Sequence, residues 1–440
     1  MTTAAAATLT EPDARPLSRL HLRLLLIAGL GYLFDGMDGS ALAFFLPVLR
    51  AEWHLTAWQS GWIASSTSQG YLIGSLAAGF LADRFGRRRI MMTALTIYCV
   101  ASCLSALQHD WKPYFVLRVI CGIGTGAEAV VIIPYIAEFL PPRKRGALCG
   151  AVVGFYAFGY TAAAALGLFV VSASPSGWRI ASVITGLPVL LLLWWRRALP
   201  ESPLWLARAG HGNRSGRNRA AQRKPAGAQA PAIPARFQGG PLTSLLTETP
   251  WRGRLLTAVS VWTCLFFSFY GFFAWLPSLL MTHGLALSKS FGLAFLIFSA
   301  QIPGYFIAAW LNGVIGRRQV MIGALSFAAL SATGLIAAPT LPLMIASAMG
   351  LSAGLNGAVA GLYAYMPELF PTRIRASAMG LSSGISRIGA IAGSMGAGPL
   401  AAWGGTTPVF TTMGAALLLA LLILVFIAGN TGDGPLPEEV

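Results

Sequence analysis

Charged residues are scarce in this sequence, and acidic residues are the scarcest of them. Asp, Glu, Lys and Arg make up only 10% of the 440 residues, and 15 of these are acidic. A soluble domain is about one quarter charged. Hydrophobic residues reach 55%. The shortage of charge excludes an ordinary soluble enzyme and predicts a membrane protein.

Motifs for metal binding and nucleotide hydrolysis are absent from the sequence. The few cysteines have no metal-ligand spacing and fall in or beside apolar runs, so they are interpreted as small packing residues. No glycine-rich phosphate loop occurs. We therefore predict no metal, no cofactor, no catalytic residue and no ATP hydrolysis by this chain. The cysteines are Cys99, Cys103, Cys121, Cys149 and Cys264.

Long apolar runs are abundant. A run of about 20 residues is needed to cross a hydrocarbon core of about 30 Å. The runs predict an all-α membrane protein of twelve transmembrane helices, and the first is expected to be retained because no cleavage site follows it. The spans are predicted at 22–48, 57–82, 90–107, 114–140, 147–172, 179–199, 255–282, 288–312, 319–338, 341–366, 376–403 and 405–428.

Basic residues mark one face of the predicted membrane protein. The net charge is +16, and Lys and Arg concentrate in the N-terminal tail and in the loops after spans 2, 4, 6, 8 and 10. Only Arg50, Lys112, Arg179 and Lys289 lie on the other face. The positive-inside rule then places both termini in the cytoplasm. The basic loops are assigned to topology and not to nucleic-acid binding, with lipid headgroups as the weaker alternative.

The chain repeats itself at one fixed offset, which separates Glu138 from Glu368 and Arg145 from Arg375. Two similar bundles indicate a transporter, because a site between them can be opened to either side by rocking one half against the other. Further pairs at this offset are Pro47 and Pro277, Gly74 and Gly304, Gly86 and Gly316, and Gly124 and Gly354. The predicted domains are a cytoplasmic tail (1–21), a six-helix bundle (22–199), a basic cytoplasmic linker (200–254), a second bundle (255–428) and a cytoplasmic tail (429–440).

The loop between spans 2 and 3 resembles that of the major facilitator superfamily. It reads GFLADRFGRRR over residues 79–89. In that superfamily the aspartate and the arginines form ion pairs that hold the cytoplasmic side shut. The second half has Gly313 where the first has Asp83, so a weaker latch is expected there. The gate residues that the resemblance implies are Asp83, Arg84, Arg87, Arg88 and Arg317.

Two cassettes, EFLPPRKR (138–145) and ELFPTRIR (368–375), extend this predicted gate. Each places a carboxylate about one helical turn from guanidinium groups that can bind it with two hydrogen bonds. Alternatively, the arginines only set topology and the glutamates only solubilise helix ends. The gate is favoured because topology does not require the same glutamate and proline in both halves. The cassette residues assigned to it are Glu138, Arg143, Arg145, Glu368, Arg373 and Arg375.

At finer grain the chain resembles the bacterial niacin permeases, which are related to aromatic acid/proton symporters and to synaptic vesicle glycoprotein 2. The resemblance rests on GLGYLFDGMDGSALAF (29–44), SFYGFFAWLPSLL (268–280), AQIPGYFIAAW (300–310), LYAYMPELFPTRIRASAMG (362–380) and SRIGAIAG (386–393). It implies a monomeric, proton-coupled importer of nicotinate, or of a close aromatic monocarboxylate, in the bacterial inner membrane. The alternatives are a 4-hydroxybenzoate or protocatechuate symporter, a proton-independent facilitator, and a receptor that binds without transport.

Few ionisable residues lie deep within the predicted spans. A charge there costs about 2.5 to 3.5 kcal/mol, so each is a candidate functional residue. Asp35 and Asp38 share a helix face, and two carboxylates in a dry site cannot both ionise easily. One of them is expected to hold a proton near neutral pH. The deep residues are Asp35, Asp38, Arg118, Glu128 and Arg387.

Asp38 and Arg118 resemble a pair in proton-coupled relatives. There the arginine of span 4 binds the deprotonated carboxylate and releases it on protonation. The resemblance implies that Asp38 carries the proton, with Asp35 assisting and Glu128 in the same proton-coupling set. The alternative is a permanent salt bridge that braces two helices.

Arg387 is the lone deep cation of the second half, and it is expected to bind the substrate carboxylate with two hydrogen bonds. The alternative is an ion pair across the halves with Glu128 or an aspartate of span 1. Span 7 is rich in aromatic residues, which suits a flat ring, and Tyr270 is selected from it. The remaining predicted substrate-binding residues are Gln301, Asn356 and Tyr160.

Overall fold

The structure of the protein is a computed structural model that describes residues 17–190, 199–202, 205–206, 245, 249–282 and 284–427. Both predicted tails lie mostly outside the described residues, as does most of the predicted linker. The following side chains also lie outside this description: Asp83, Pro142, Arg143, Thr249, Pro250, Thr372, Arg373 and Ala376.

The described residues form helices and no strand. In the first half, helix α5 (Pro142–Leu166) continues as a π-helical turn, Gly167–Val171, and helix α6 (Gly177–Gly186) as a 3₁₀ turn, Leu187–Leu190. Each predicted span of this half overlaps one helix, and the rest of span 6 lies outside the described residues. The helices are α1 (Arg19–Glu52), α2 (Ala57–Phe85), α3 (Arg87–Ser105), α4 (Trp111–Ala137), α5 (Pro142–Leu166) and α6 (Gly177–Gly186).

The described residues of the second half form six further helices, which confirms the predicted all-α membrane fold. Helix α8 (Leu287–Leu311) is interrupted at Ala300, and helix α10 (Leu341–Tyr365) continues as a 3₁₀ turn, Met366–Leu369. The helices are α7 (Thr249–Thr282), α8 (Leu287–Leu311), α9 (Arg317–Ala337), α10 (Leu341–Tyr365), α11 (Thr372–Gly404) and α12 (Thr406–Phe426).

Local sequence explains where several helices begin. Thr56 and Gln59 cap the start of α2 reciprocally, each side chain bonding to the other residue's main-chain N–H. Asp110 accepts a hydrogen bond from the start of α4. Gly86 and Gly316, which are equivalent in the sequence repeat, precede α3 and α9 with φ of +96° and +90°. Residues with a side chain rarely adopt that conformation, so both turns depend on glycine.

Eight of the described helices are long and apolar enough to cross a membrane: α1, α4, α5, α7, α8, α9, α10 and α12. The described part of α6 is apolar but shorter. Helices α2, α3 and α11 are long but less apolar. Since α2 and α11 pack against each other, their polar residues are partly shielded from lipid by protein.

The two halves pack in the same way. Helix α1 packs on α5, α2 on α4 and α3 on α4; correspondingly, α7 packs on α11, α8 on α10 and α9 on α10. Between the halves, α2 packs on α11 and α5 on α8, and these two contacts exchange under the same symmetry. Helix α1 also meets its counterpart α7. The sequence repeat is therefore a repeat of packing, with an approximate two-fold axis between the halves.

Glycines bring the paired helices into main-chain contact. Gly159 of α5 lies against the carbonyl of Leu33 in α1, and Gly389 of α11 lies against the carbonyl of Thr263 in α7. These two glycines are separated by the same offset as the repeated cassettes. A Cβ atom at either position would collide with main chain. At equivalent positions of the two halves, this close approach fixes the packing of α5 on α1 and of α11 on α7.

Gly393→Ala is expected to lower the melting temperature, because the added methyl group would meet the main chain of Phe267 in α7. Overpacking of this kind costs about 1 to 3 kcal/mol. Gly396→Ala on the same helix is the matched control, since nothing lies within 4 Å of a Cβ atom there. Thermal unfolding of both purified variants measures the difference. Equal melting temperatures would contradict the described packing of α11 on α7.

Candidate functional site

A pocket lies between the two halves, about halfway along the helices. Its cavity volume is about 40 Å³, which is well below the roughly 300 to 1,000 Å³ of small-molecule sites, so the two halves are closed around it in this structure. Helices α1, α2, α4 and α5 line it from the first half, and α7 and α11 from the second. The lining includes Asp35, Tyr71, Tyr156, Tyr160, Tyr270 and Arg387.

Arg387 of α11 is the cation of this pocket. Its Nη1 donates a hydrogen bond of 2.7 Å to the hydroxyl of Tyr270 in α7. Its guanidinium carbon lies 3.5 Å from the ring centroid of Tyr71 in α2, so cation–π stacking connects the halves. The side chain is only 4% exposed.

No carboxylate of the described residues forms a salt bridge with Arg387. Its Nε also has no hydrogen-bond partner in the described part of the chain. The alternative of an ion pair across the halves with Glu128 or an aspartate of α1 is therefore not observed. A buried guanidinium without a carboxylate partner, placed on a pocket wall, can bind an anion.

Aromatic rings form the wall beside this cation. Tyr160 of α5 stacks on Phe298 of α8, with ring centroids 5.7 Å apart and ring planes at 27°. Its edge also meets Phe273 of α7 at 5.5 Å. Tyr160, Phe273 and Tyr270 all line the pocket. Such a wall accommodates a flat ring and offers hydroxyl groups at its margin.

Asp38 and Arg118 form an ion pair between α1 and α4, and both side chains are fully buried. The guanidinium binds both carboxylate oxygens, at 3.2 and 3.1 Å. The Ser102 hydroxyl donates to Oδ1 at 2.9 Å and the Cys121 thiol to Oδ2 at 3.0 Å. Four hydrogen bonds therefore converge on the two carboxylate oxygens. The pair does not line the pocket; it lies behind the α1 wall.

Asp35 and Glu128 are buried carboxyl groups without a described partner. Neither oxygen of either side chain has a hydrogen bond among the described residues. Asp35 lines the pocket and Glu128 does not. Although Asp35 and Asp38 are three residues apart on α1, only Asp38 has Arg118 as a partner.

Gln301 and Asn356 are not brought to the pocket. They lie on α8 and α10, which pack on each other, whereas the lining comes from other helices. The amide of Gln301 is fully buried with no described partner. Asn356 donates to the main-chain oxygen of Ser352 at 3.2 Å, within its own helix. Asn356 therefore fits the role of a helix-packing residue better than that of a pocket residue.

Two ion pairs occupy equivalent positions in the halves: Arg87 with Glu138, and Arg317 with Glu368. Each pair joins the first residue of α3 or α9 to the chain just after α4 or α10. Both pairs lie within one half, so they hold each half's own loops together. The described arginine partner of each cassette glutamate is therefore the arginine that follows Gly86 or Gly316, and not an arginine of the cassette itself.

The cassette arginines make other contacts. Arg145 donates to the carbonyl of Leu140 at 3.2 Å, and Arg375 to the carbonyl of Phe370 at 3.1 Å. Both arginines lie in the first turn of their helices, where the side chain reaches back to the preceding chain. The pairing of Arg145 and Arg375 with the cassette glutamates is therefore corrected.

Two of the other predicted gate residues, Arg84 and Arg88, make described contacts. Arg84 is exposed and stacks on the ring of Phe85 at 5.3 Å. The main-chain N–H of Arg88 donates to Glu201 at 3.1 Å. The side chains of Asp83, Arg143 and Arg373 lie outside the described residues.

Sequence reasoning missed Glu201 and Ser202, which lie just after the predicted span 6. Glu201 accepts the hydrogen bond from Arg88 at the start of α3, and Ser202 donates to Glu138. Both residues fall in the predicted linker. Their counterparts in the sequence repeat are Thr431 and Gly432, so the repeat did not reveal them. The available signal was a charged turn directly after an apolar run.

Tyr71 and Tyr156 were missed for a different reason. Charge is the signal that marks a site residue inside a span, whereas tyrosines are frequent in membrane helices. Only their placement opposite Arg387 and beside Asp35 shows that they line the pocket.

Two equivalent halves around a buried pocket define a transporter of the major facilitator type. The chain belongs to the sugar (and other) transporter family, whose family model matches residues 33–436. Like its relatives, it is an integral membrane transporter of small molecules and not an enzyme.

Two relatives and one solved structure illustrate the membership. A Bacillus subtilis protein named as a candidate niacin/nicotinamide transporter, NiaP, is 33% identical over 93% of this chain and 96% of its own length. The niacin transporter NiaP of Acinetobacter baylyi is 32% identical over 97% of each chain. The crystal structure of a D-xylose-proton symporter has a TM-score of 0.77 at 18% identity, covering 94% of this chain and 99% of its own, and shows the fold alone.

Proposed function

We propose that the protein imports nicotinate, or a close aromatic monocarboxylate, together with protons. The observation that carries the proposal is Arg387, a buried guanidinium without a described carboxylate partner on the wall of an aromatic pocket. An aromatic monocarboxylate is complementary to this pocket, because its carboxylate can bind Arg387 and its flat ring can pack against the tyrosines. The similarity to niacin transporters over nearly the whole chain supports nicotinate within that class.

Alternating access follows from the symmetric packing. The pocket is bounded by both halves, and the contacts between them (α2 with α11, and α5 with α8) exchange under the two-fold axis. Rocking one half against the other can open either side while leaving the pocket residues near the middle. The ion pairs Arg87–Glu138 and Arg317–Glu368 would keep each half rigid during that motion.

Proton coupling is the second part of the proposal. Moving an anion into a cell against the membrane potential costs about 2.3 kcal/mol per 100 mV, and one co-transported proton removes that charge. Asp38, bound by Arg118, corresponds to the deprotonated stage of the cycle. Protonation would release Arg118 and loosen the contact of α1 with α4. With the basic loops inside, both termini would face the cytoplasm of a bacterial cell.

Uptake of radiolabelled nicotinate into proteoliposomes tests the proposal. We expect accumulation that requires an imposed inward proton gradient and resists excess 4-hydroxybenzoate. Uptake that ignores the gradient would indicate a facilitator. Strong competition by 4-hydroxybenzoate would indicate a hydroxybenzoate symporter. Binding without uptake would indicate a receptor. Liposomes without protein provide the baseline.

A further inference from the structure

Asp35 is an unpaired carboxyl group on the wall of the pocket. Its side chain is 3% exposed, and neither oxygen has a hydrogen-bond partner among the described residues. Asp38, three residues later, is hydrogen-bonded by three side chains. Leaving a buried polar group unpaired is unfavourable, because the group loses its hydrogen bonds to water and gains none in return. The pocket wall thus retains an unused hydrogen-bonding group at the position where a ligand would lie.

The surroundings of Asp35 favour its neutral form. An ionised carboxylate that is buried without a partner is much more costly than a neutral one. Arg118, the buried cation of the described first half, is bound to Asp38. Arg387, in the other half, is hydrogen-bonded to Tyr270 and forms no salt bridge with a described carboxylate. A neutral carboxyl group carries one O–H donor.

The pocket therefore presents two different binding groups from its two halves. Arg387 of α11 offers guanidinium N–H groups to an anion, and Asp35 of α1 offers an O–H group to a neutral acceptor. A pyridine ring nitrogen is such an acceptor. A benzene ring has a C–H group at the same place and would leave the Asp35 donor unpaired.

We infer that Asp35 donates a hydrogen bond to the ring nitrogen of a pyridine carboxylate whose carboxylate group is bound by Arg387. This inference rests on the proposed function and narrows its substrate class to aromatic acids with a ring acceptor. Asp35 is then a specificity-determining residue. A site built to hydrogen-bond a ligand group rejects an analogue that lacks the group, because its own buried polar atom stays unpaired.

Equilibrium binding of nicotinate and benzoate to the purified full-length protein tests the inference. The quantity compared is the Kd for benzoate divided by the Kd for nicotinate. We expect this ratio to be about 10 or more in the wild type, since one hydrogen bond of this kind corresponds to about tenfold in affinity. Asp35→Leu removes the donor and should bring the ratio close to one, mainly by weakening nicotinate. Asp35→Asn keeps an N–H donor and should retain the preference.

Ser352→Ala is the control, because the Ser352 hydroxyl is also buried without a described partner but lies outside the pocket. Its binding ratio should equal that of the wild type. Should Asp35→Leu aggregate, Asp35→Ala replaces it in the comparison.

Each remaining outcome counts against the inference in a distinct way. An unchanged ratio in the Leu variant overturns the inference and leaves the proposed function standing. A larger loss for 4-hydroxybenzoate than for nicotinate would assign Asp35 to a phenol and overturn it as well. A wild type that binds and transports no nicotinate overturns both proposals.

Discussion

Arg387→Lys is expected to weaken nicotinate binding about 10- to 100-fold. Lysine keeps the positive charge, but its ammonium group cannot bind a carboxylate through two parallel N–H groups. A hydrogen bond to a charged group contributes about 1.5 to 3 kcal/mol, which corresponds to that range of affinity. Lysine also loses the planar stack on Tyr71. Calorimetric titration of the purified variant with nicotinate gives the change in Kd.

Arg254→Lys provides the control for this substitution. Arg254 also lies on a helix of the second half, where it stacks on Trp251 and donates to the carbonyl of Leu369 at 3.0 Å, away from the pocket. The Arg254→Lys substitution makes the same chemical change outside the proposed site, so the affinity for nicotinate should not change. Equal affinities for the wild type and Arg387→Lys would remove Arg387 from substrate binding. It would then be interpreted as a brace between α7 and α11.

Asp38→Asn is expected to abolish gradient-driven accumulation of nicotinate while leaving counterflow exchange in place. Asparagine has no exchangeable charge state, so it cannot release and rebind Arg118 as the cycle proceeds. Breaking a buried pair by removing one partner costs about 3 to 5 kcal/mol, because Arg118 stays buried without its carboxylate. A lower melting temperature is therefore expected too. Uptake and counterflow are measured on the same proteoliposomes, which separates coupling from folding.

Asp110→Asn is the conservative control for that experiment. Asp110 caps the start of α4 in the turn after α3, and asparagine caps a helix equally well. This variant should accumulate nicotinate like the wild type. Normal gradient-driven accumulation by Asp38→Asn would assign the proton to another group. Asp35 and Glu128, the buried carboxyl groups without described partners, would be the first to examine.

The spans and the repeat could be predicted from the sequence because both depend on local properties. A run of apolar residues must form a helix in the bilayer, since main-chain polar groups have no other partner there. The fixed offset between the repeated cassettes predicted equivalent helices, and the packing of α1 on α5 and of α7 on α11 follows it. Arg387 and Tyr160 could be selected for the pocket, and Asp35 for proton coupling, because a polar or charged residue deep in a span requires a partner or a cavity.

The partners of these residues could not be derived in the same way. Arg387 meets Tyr270 across 117 residues of sequence, and the Asp38 and Arg118 side chains meet across 80. Asp38 and Arg118 were matched through a family resemblance, whereas no resemblance indicated that Tyr71 would stack on Arg387. Glu138 had an arginine near it in sequence, yet its described arginine partner is Arg87 of another loop.

The sequence by itself determined that this protein crosses the membrane, that it has two equivalent halves, and that a small number of charges lie within its spans. Only the tertiary structure decided which of those charges are paired and which face the pocket. The physical reason is that the rotation of each helix about its axis is set by packing at glycine contacts such as Gly159 and Gly389. That rotation turns Asp38 toward Arg118 and leaves Asp35, one helical turn away, on the wall of the pocket.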